Sequence, residues 1–183
     1  GSNNTEYTCS GTAFKLSMRL AVKPTKIIWK LSNVPNLTPN TDVTVLNPTP
    51  SDSVIVNGDK LYVFTLPQTY SFSTAGFYSI PVTFTAPTIG SCDSSQTDII
   101  YVQVIPSPAI GFNVAFTPPC AGSTAGFAAQ AATVSGVNAS SWTWTFHNGT
   151  TATGQTSTFT YPTAGTYPVK LSVVTADGCK GDS

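Results

Sequence analysis

The run Trp142-Thr143-Trp144-Thr145-Phe146-His147-Asn148-Gly149 alternates aromatic residues with threonine and then turns. A period of two with one apolar face is the pattern of a half-buried strand. Asn-Gly is a strong tight-turn signal, because both residues tolerate positive φ. A second run follows at Thr160-Tyr161-Pro162-Thr163-Ala164-Gly165-Thr166-Tyr167-Pro168-Val169-Lys170-Leu171-Ser172-Val173, and Asp177-Gly178-Cys179 comes after it. Tyr167, Val169, Leu171 and Val173 share one parity and are expected to face a core. A looser copy lies earlier in the chain. It consists of Ile27-Ile28-Trp29-Lys30-Leu31, then Tyr70 to Phe84 with Thr74-Ala75-Gly76 at the matching turn, then Gly90-Ser91-Cys92.

The repeat divides the 183 residues into two domains, predicted at 5–105 and 109–183, with Pro106-Ser107-Pro108 as the linker. In the first copy, Phe14, Leu16, Met18, Leu20 and Val22 point one way, while Lys15, Ser17 and Arg19 point the other. That predicts a strand over 12–22, ended by Pro24. Strands are also expected over 26–32, 42–46, 70–73, 77–85 and 97–105. Val54 to Phe64, centred on Asn57-Gly58, reads as a hairpin with a type I′ turn. The stretch between Trp29 and Phe72 is much longer than its counterpart between Trp144 and Tyr161, so residues 41–66 are expected to add strands to the first domain. In the second copy, strands are expected over 110–116, 124–133, 141–146, 157–161 and 166–175. Many short strands with turn signals between them mean an all-β fold of two β-sandwiches.

Composition narrows the function classes. Apolar residues make up 40% of the chain, charged residues only 9%, and the formal net charge is zero. A neutral chain offers no electrostatic basis for nucleic-acid binding. No apolar run approaches the roughly 20 residues of a spanning helix. The Thr-, Ser- and Asn-rich, turn-rich composition is that of an exported protein. Gly1-Ser2 reads as a vector remnant, and the chain as a piece of a longer exported protein. Four cysteines allow three pairings. The repeat selects Cys9–Cys92 and Cys120–Cys179, each closing one copy. After Cys179 only four residues follow, so the second domain is expected to stop short of its last strand, leaving the 166–175 strand with an open edge.

These residues also carry a family resemblance. Trp144 to Gly149, then Phe159-Thr160-Tyr161 through Gly165, Tyr167, Val169 and Leu171, resemble the PKD domain. That family is an Ig-like sandwich with a Trp-Asp-Phe-Gly-Asp-Gly motif and a later Tyr-x-x-x-Gly-x-Tyr-x-Val-x-Leu motif. The late motif matches fully. In the early one, Thr145 and Asn148 replace the two aspartates and His147 replaces a glycine. The cysteine-framed form is similar to PKD repeats in large surface proteins of the Bacteroidetes. The resemblance covers residues 120–183 well and 9–105 loosely, through Trp29, Phe72, Gly76, Tyr78 and the cysteines. It implies two tandem Ig-like domains with scaffold roles for the motif residues. Some PKD domains bind calcium, but the motif's aspartates are missing here, and no metal or cofactor is expected.

Catalytic signals are sparse. His147, the single histidine, lies in a turn with no carboxylate near it in sequence, so nothing orients it as a base. No catalytic residue is assigned. Two features point to binding. Lys15, Arg19 and Lys23 lie on one outer strand face and would suit an anionic polysaccharide. Tyr62 and Phe64, on a hairpin strand apolar on both faces, would stack on sugar rings or a partner if they point outward. The expected function is a non-catalytic extracellular spacer or adhesion module, with a protein or polysaccharide partner at the cell surface. The alternative is a carbohydrate-binding accessory of a polysaccharide-degrading enzyme.

Overall fold

The computed structural model describes residues 5–86, 95–116, 120–130 and 138–183. The chain divides into two compact units, Gly1–Ile105 and Pro106–Ser183. Every regular element among the described residues is a strand, and the fold is all-β with sandwich-like sheets in both units.

The first unit holds β1 (Thr5–Cys9), β2 (Ser17–Leu20), β3 (Lys26–Trp29), β4 (Leu37–Thr38), β5 (Val43–Leu46), β6 (Asp52–Val56), β7 (Asp59–Thr65), β8 (Ser71–Phe72), β9 (Gly76–Thr85) and β10 (Ser95–Ile105). One sheet runs β1-β10-β9-β3-β5; β2-β7-β6 forms another, and β4 pairs with β8. Alternation builds the core between them. Tyr78, Ile80, Val82 and Phe84 of β9 are buried with Ile100, Val102 and Val104 of β10, Ile27 and Trp29 of β3, and Met18 and Leu20 of β2. The Asn57-Gly58 turn has φ of 52° and 90°, the two positive values that a type I′ turn requires. The strand expected over 12–22 is shorter than its apolar pattern. Pro67-Gln68-Thr69 interrupts the partner strand, and pairing resumes only at the Phe14–Tyr70 bridge.

The second unit holds β11 (Gly111–Phe116), β12 (Thr124–Gln130), β13 (Ala139–Phe146), β14 (Thr151–Thr153), β15 (Thr156–Thr160), β16 (Val169–Thr175) and β17 (Lys180–Asp182). Its sheets are β11-β12-β15 and β14-β13-β16-β17. Trp144 is fully buried, and its Nε1–H donates to the Gly154 carbonyl at 2.9 Å. Phe112 meets its ring edge-on at 5.3 Å, and Phe127 lies at 5.7 Å. β16 begins at Val169 and not at Thr166, because Pro168 has no N–H to give a ladder and Gly165 to Tyr167 are used otherwise.

That other use recurs in both units. Tyr78 folds back over Gly76 and donates its hydroxyl to the Thr74 carbonyl at 2.9 Å. Tyr167 does the same over Gly165, donating to the Thr163 carbonyl at 3.0 Å. Each is a tyrosine corner, tying a strand's start to the backbone upstream. A Cβ on Gly165 would lie 3.2 Å from the Tyr167 ring. The glycine therefore makes room for the ring.

Three expectations are corrected. First, β7 pairs with β2 as β15 pairs with β12, and β5 pairs with β3 as β14 pairs with β13. Of the strands in 41–66, only β6 lacks a counterpart in the second unit. Second, β17 pairs with β16 from Ser172 to Val174, so that edge is not open there. Third, Cys120 is a free, exposed thiol, while Cys9 and Cys179 are disulfide-bonded. The Cys120–Cys179 bridge is therefore absent: similar Cys-x-Gly openings in the two copies do not place their thiols alike. Cys92 and the end of the 124–133 strand lie outside the described residues.

Candidate functional site: an exposed aromatic face on the first unit

The hairpin residues divide. In the β2–β7 register, Phe64 sits opposite Met18 and is buried with it. It is core, which removes it as a ligand platform. Tyr62 is half-buried at the same core edge, with the Lys23 ammonium 5.0 Å and the Lys60 ammonium 5.4 Å from its ring centroid. Its ring is occupied by cation–π contacts. Lys15 is exposed further along, and Arg19 is half-buried at a cleft of about 590 Å³ that Asp59 and Asp98 also line. Lys23 and Tyr62 are thus brought together.

A different set converges on the outer face of β1, β10 and β9. Tyr7 is 67% exposed and Phe77 62% exposed. The ladder aligns Tyr7 with Gln103, and Gln103 with Phe77. Phe77 also stacks on Tyr101 at 5.7 Å between centroids and 26° between planes. Ile99, at the same parity, is exposed beside them. The other outward positions on these strands include Thr5, Ser79, Pro81, Thr83, Thr97 and Gln103, and none at this parity is charged. Lys30, on the neighbouring part of the sheet, is held by Asp42 at 3.1 Å.

The sequence contained part of this signal. In Phe77-Tyr78, two adjacent aromatics on one strand cannot both face the core. Tyr101 between Ile100 and Val102 obeys the same rule. Tyr7 joins them only because β1 adds to β10 in parallel, and no local pattern encodes that pairing.

In the second unit a groove of about 710 Å³ runs between β11 and the β15–β16 connection, lined by Phe112, Val114, Phe116, Tyr161, Tyr167 and Cys120 among others. Val114 is 43% and Phe116 50% exposed. His147 packs against Tyr167 at 4.5 Å and against Phe159 and Tyr161. Asp42 accepts from the Ser32 backbone N–H at 2.9 Å and from Lys30; these bonds hold its pKa down at about 2. Lys170 similarly lowers the pKa of Asp182. Among the described residues, no three His, Cys, Asp or Glu side chains gather as a metal site, and no helix is long and apolar enough to cross a membrane.

Residues 106–183 match the family described as PKD domain. A PKD domain is therefore found in the second unit; the match covers less than half of the chain. No curated protein matches. Among solved structures, the amphioxus IgVJ-C2 molecule is similar at 17% identity, over 97% of this chain and 96% of that one, with a TM-score of 0.29. The N-terminal four Ig domains of Dscam1 isoform 6.9 are similar at 11% identity, over 99% of this chain and 43% of that one, with a TM-score of 0.24. Those of isoform 4.4 give 10%, 98%, 42% and 0.24.

Proposed function

We propose that this chain is a non-catalytic extracellular adhesion module, a tandem pair of Ig-like domains in which the first unit carries the contact surface and the second serves as spacer. The observation that carries the reading is the outer face of β1, β10 and β9, where Tyr7 and Phe77 leave most of their surface in water. Clustered exposed aromatics mark interaction surfaces. The PKD match and the bonded cysteines support an exported setting, because disulfides persist in oxidising compartments. The partner is a polysaccharide or protein at the cell surface.

The test compares beads coated with the wild-type chain and with the triple variant Tyr7→Ser, Phe77→Ser, Tyr101→Ser. Both are applied to polysaccharide films, cell-wall preparations and protein-coated surfaces. Adhesion of the wild type to at least one surface, and its loss in the variant, is the expected result. Equal adhesion of the two would overturn the assignment of this face.

A further inference from the structure

We infer that the Tyr7–Phe77–Tyr101 face binds a neutral, hydroxyl-rich polysaccharide by stacking sugar rings on its aromatic rings. The inference rests on the adhesive role proposed for this face and specifies its ligand.

Charge complementarity comes first. The outward residues of β1, β10 and β9 offer aromatic rings beside hydroxyls and one amide, from Thr5, Ser79, Thr83 and Gln103, and no charge. An uncharged sugar presents the matching chemistry: C–H faces for the rings and hydroxyls for the polar neighbours. An acidic polymer finds no cation beside the rings: Lys15, Arg19 and Lys23 belong to the strand and turn around β2, Lys30 is paired with Asp42, and Lys26 lies in register with Thr85, at the far end of β9 from Phe77.

Area is the second argument. Tyr7 and Phe77, mostly exposed, and the half-buried Tyr101 together offer roughly 300–400 Å². A stable protein interface needs about 800 Å² per partner. The patch is too small to be the core of such an interface but large enough for a short run of sugar rings. Tyr7 and Phe77 stand two strands apart, so the rings span about 10 Å across the sheet.

Rigidity is the third. β10 pairs with β9 over ten consecutive positions and with β1 over five. The rings are carried on a ladder, not on loops, so little ordering is lost on binding.

Affinity electrophoresis tests this with the full chain in gels containing hydroxyethylcellulose, xyloglucan, galactomannan, mixed-linkage β-glucan or dextran, and alginate as the acidic counterpart. The wild type is expected to be retarded by at least one neutral polymer and not by alginate. Phe77→Ala and Tyr101→Ala should each weaken retardation at least tenfold, Tyr101→Phe should retain it, and Leu46→Ala, exposed on β5, should leave it unchanged. Migration unaffected by every neutral gel, or undiminished retardation of Phe77→Ala, overturns the inference. If the gels show nothing while the beads still adhere to protein-coated surfaces through this face, the ligand class is wrong and the adhesive reading stands. If the triple variant adheres like the wild type, the face itself is wrong.

Discussion

Single residues carry the most local consequences. Trp144 is 0% exposed, touches Phe112 and Phe127, and satisfies the Gly154 carbonyl. Trp144→Ala is expected to destabilise the second unit by about 3–5 kcal/mol, the usual scale for removing a large buried side chain, as read from denaturant melts. Tyr78→Phe keeps the ring over Gly76 but deletes the bond to the Thr74 carbonyl and the one from the Asn36 amide. A loss of about 0.5–1.5 kcal/mol per bond is expected. Asp42 makes the acid limb specific. Its pKa is lowered to about 2 in the folded chain, by the Ser32 N–H first and then Lys30. A carboxylate with a depressed folded pKa adds stability above its unfolded pKa, and that stability is lost as pH falls through the folded value. The contribution of Asp42 should therefore fade between about pH 4 and pH 2, and Asp42→Asn should flatten that part of the stability profile. An unchanged profile would mean the pair contributes nothing measurable, as many exposed pairs do.

Elements show what the sequence made legible. Strands β3, β9, β10, β13 and β16 follow from alternation alone, because each has one face in a core and one in water. The Asn57-Gly58 hairpin was legible for a different reason: two consecutive positive φ values demand such residues. Gly58→Ala is therefore expected to cost about 1–2 kcal/mol, with faster amide exchange along β6 and β7. Pairings between distant segments were not legible. β1 adds in parallel to β10, while β11 pairs antiparallel with β12; the two copies thus send their first strands to different sheets. β17 was missed because three residues carry no period. Its place is fixed by packing: a Cβ on Gly181 would run into the Pro108 carbonyl and approach Ile110 at 3.0 Å. Gly181→Ala should displace β17 and expose the amide of Val173, which lies opposite Gly181, to exchange. Unchanged protection there would show that the strand shifts without cost.

At the scale of the whole molecule, the candidate site was harder to read than the fold. Hydrophobic pattern says which side a residue faces, and it placed the tryptophans well. It does not say which outward residues meet across three strands, so Tyr7, Phe77 and Tyr101 emerged only with the sheet. The same distinction governs how the chain should unfold. The described residues form two separate buried clusters, nineteen residues in the first unit and seven in the second. Net stability is a small difference between large terms, and the unit with less buried apolar surface has less margin. The second also leaves Val114 and Phe116 half in water. Guanidinium unfolding is therefore expected in two steps, the second unit first. Amides of β13 and β16 should lose protection at lower denaturant than those of β9 and β10. Trp144→Phe should move only the lower step, because Trp29, at the matching place in β3, belongs to the other cluster. A single transition, coincident for amides of both units and shifted as a whole by Trp144→Phe, would show that the two cores unfold as one.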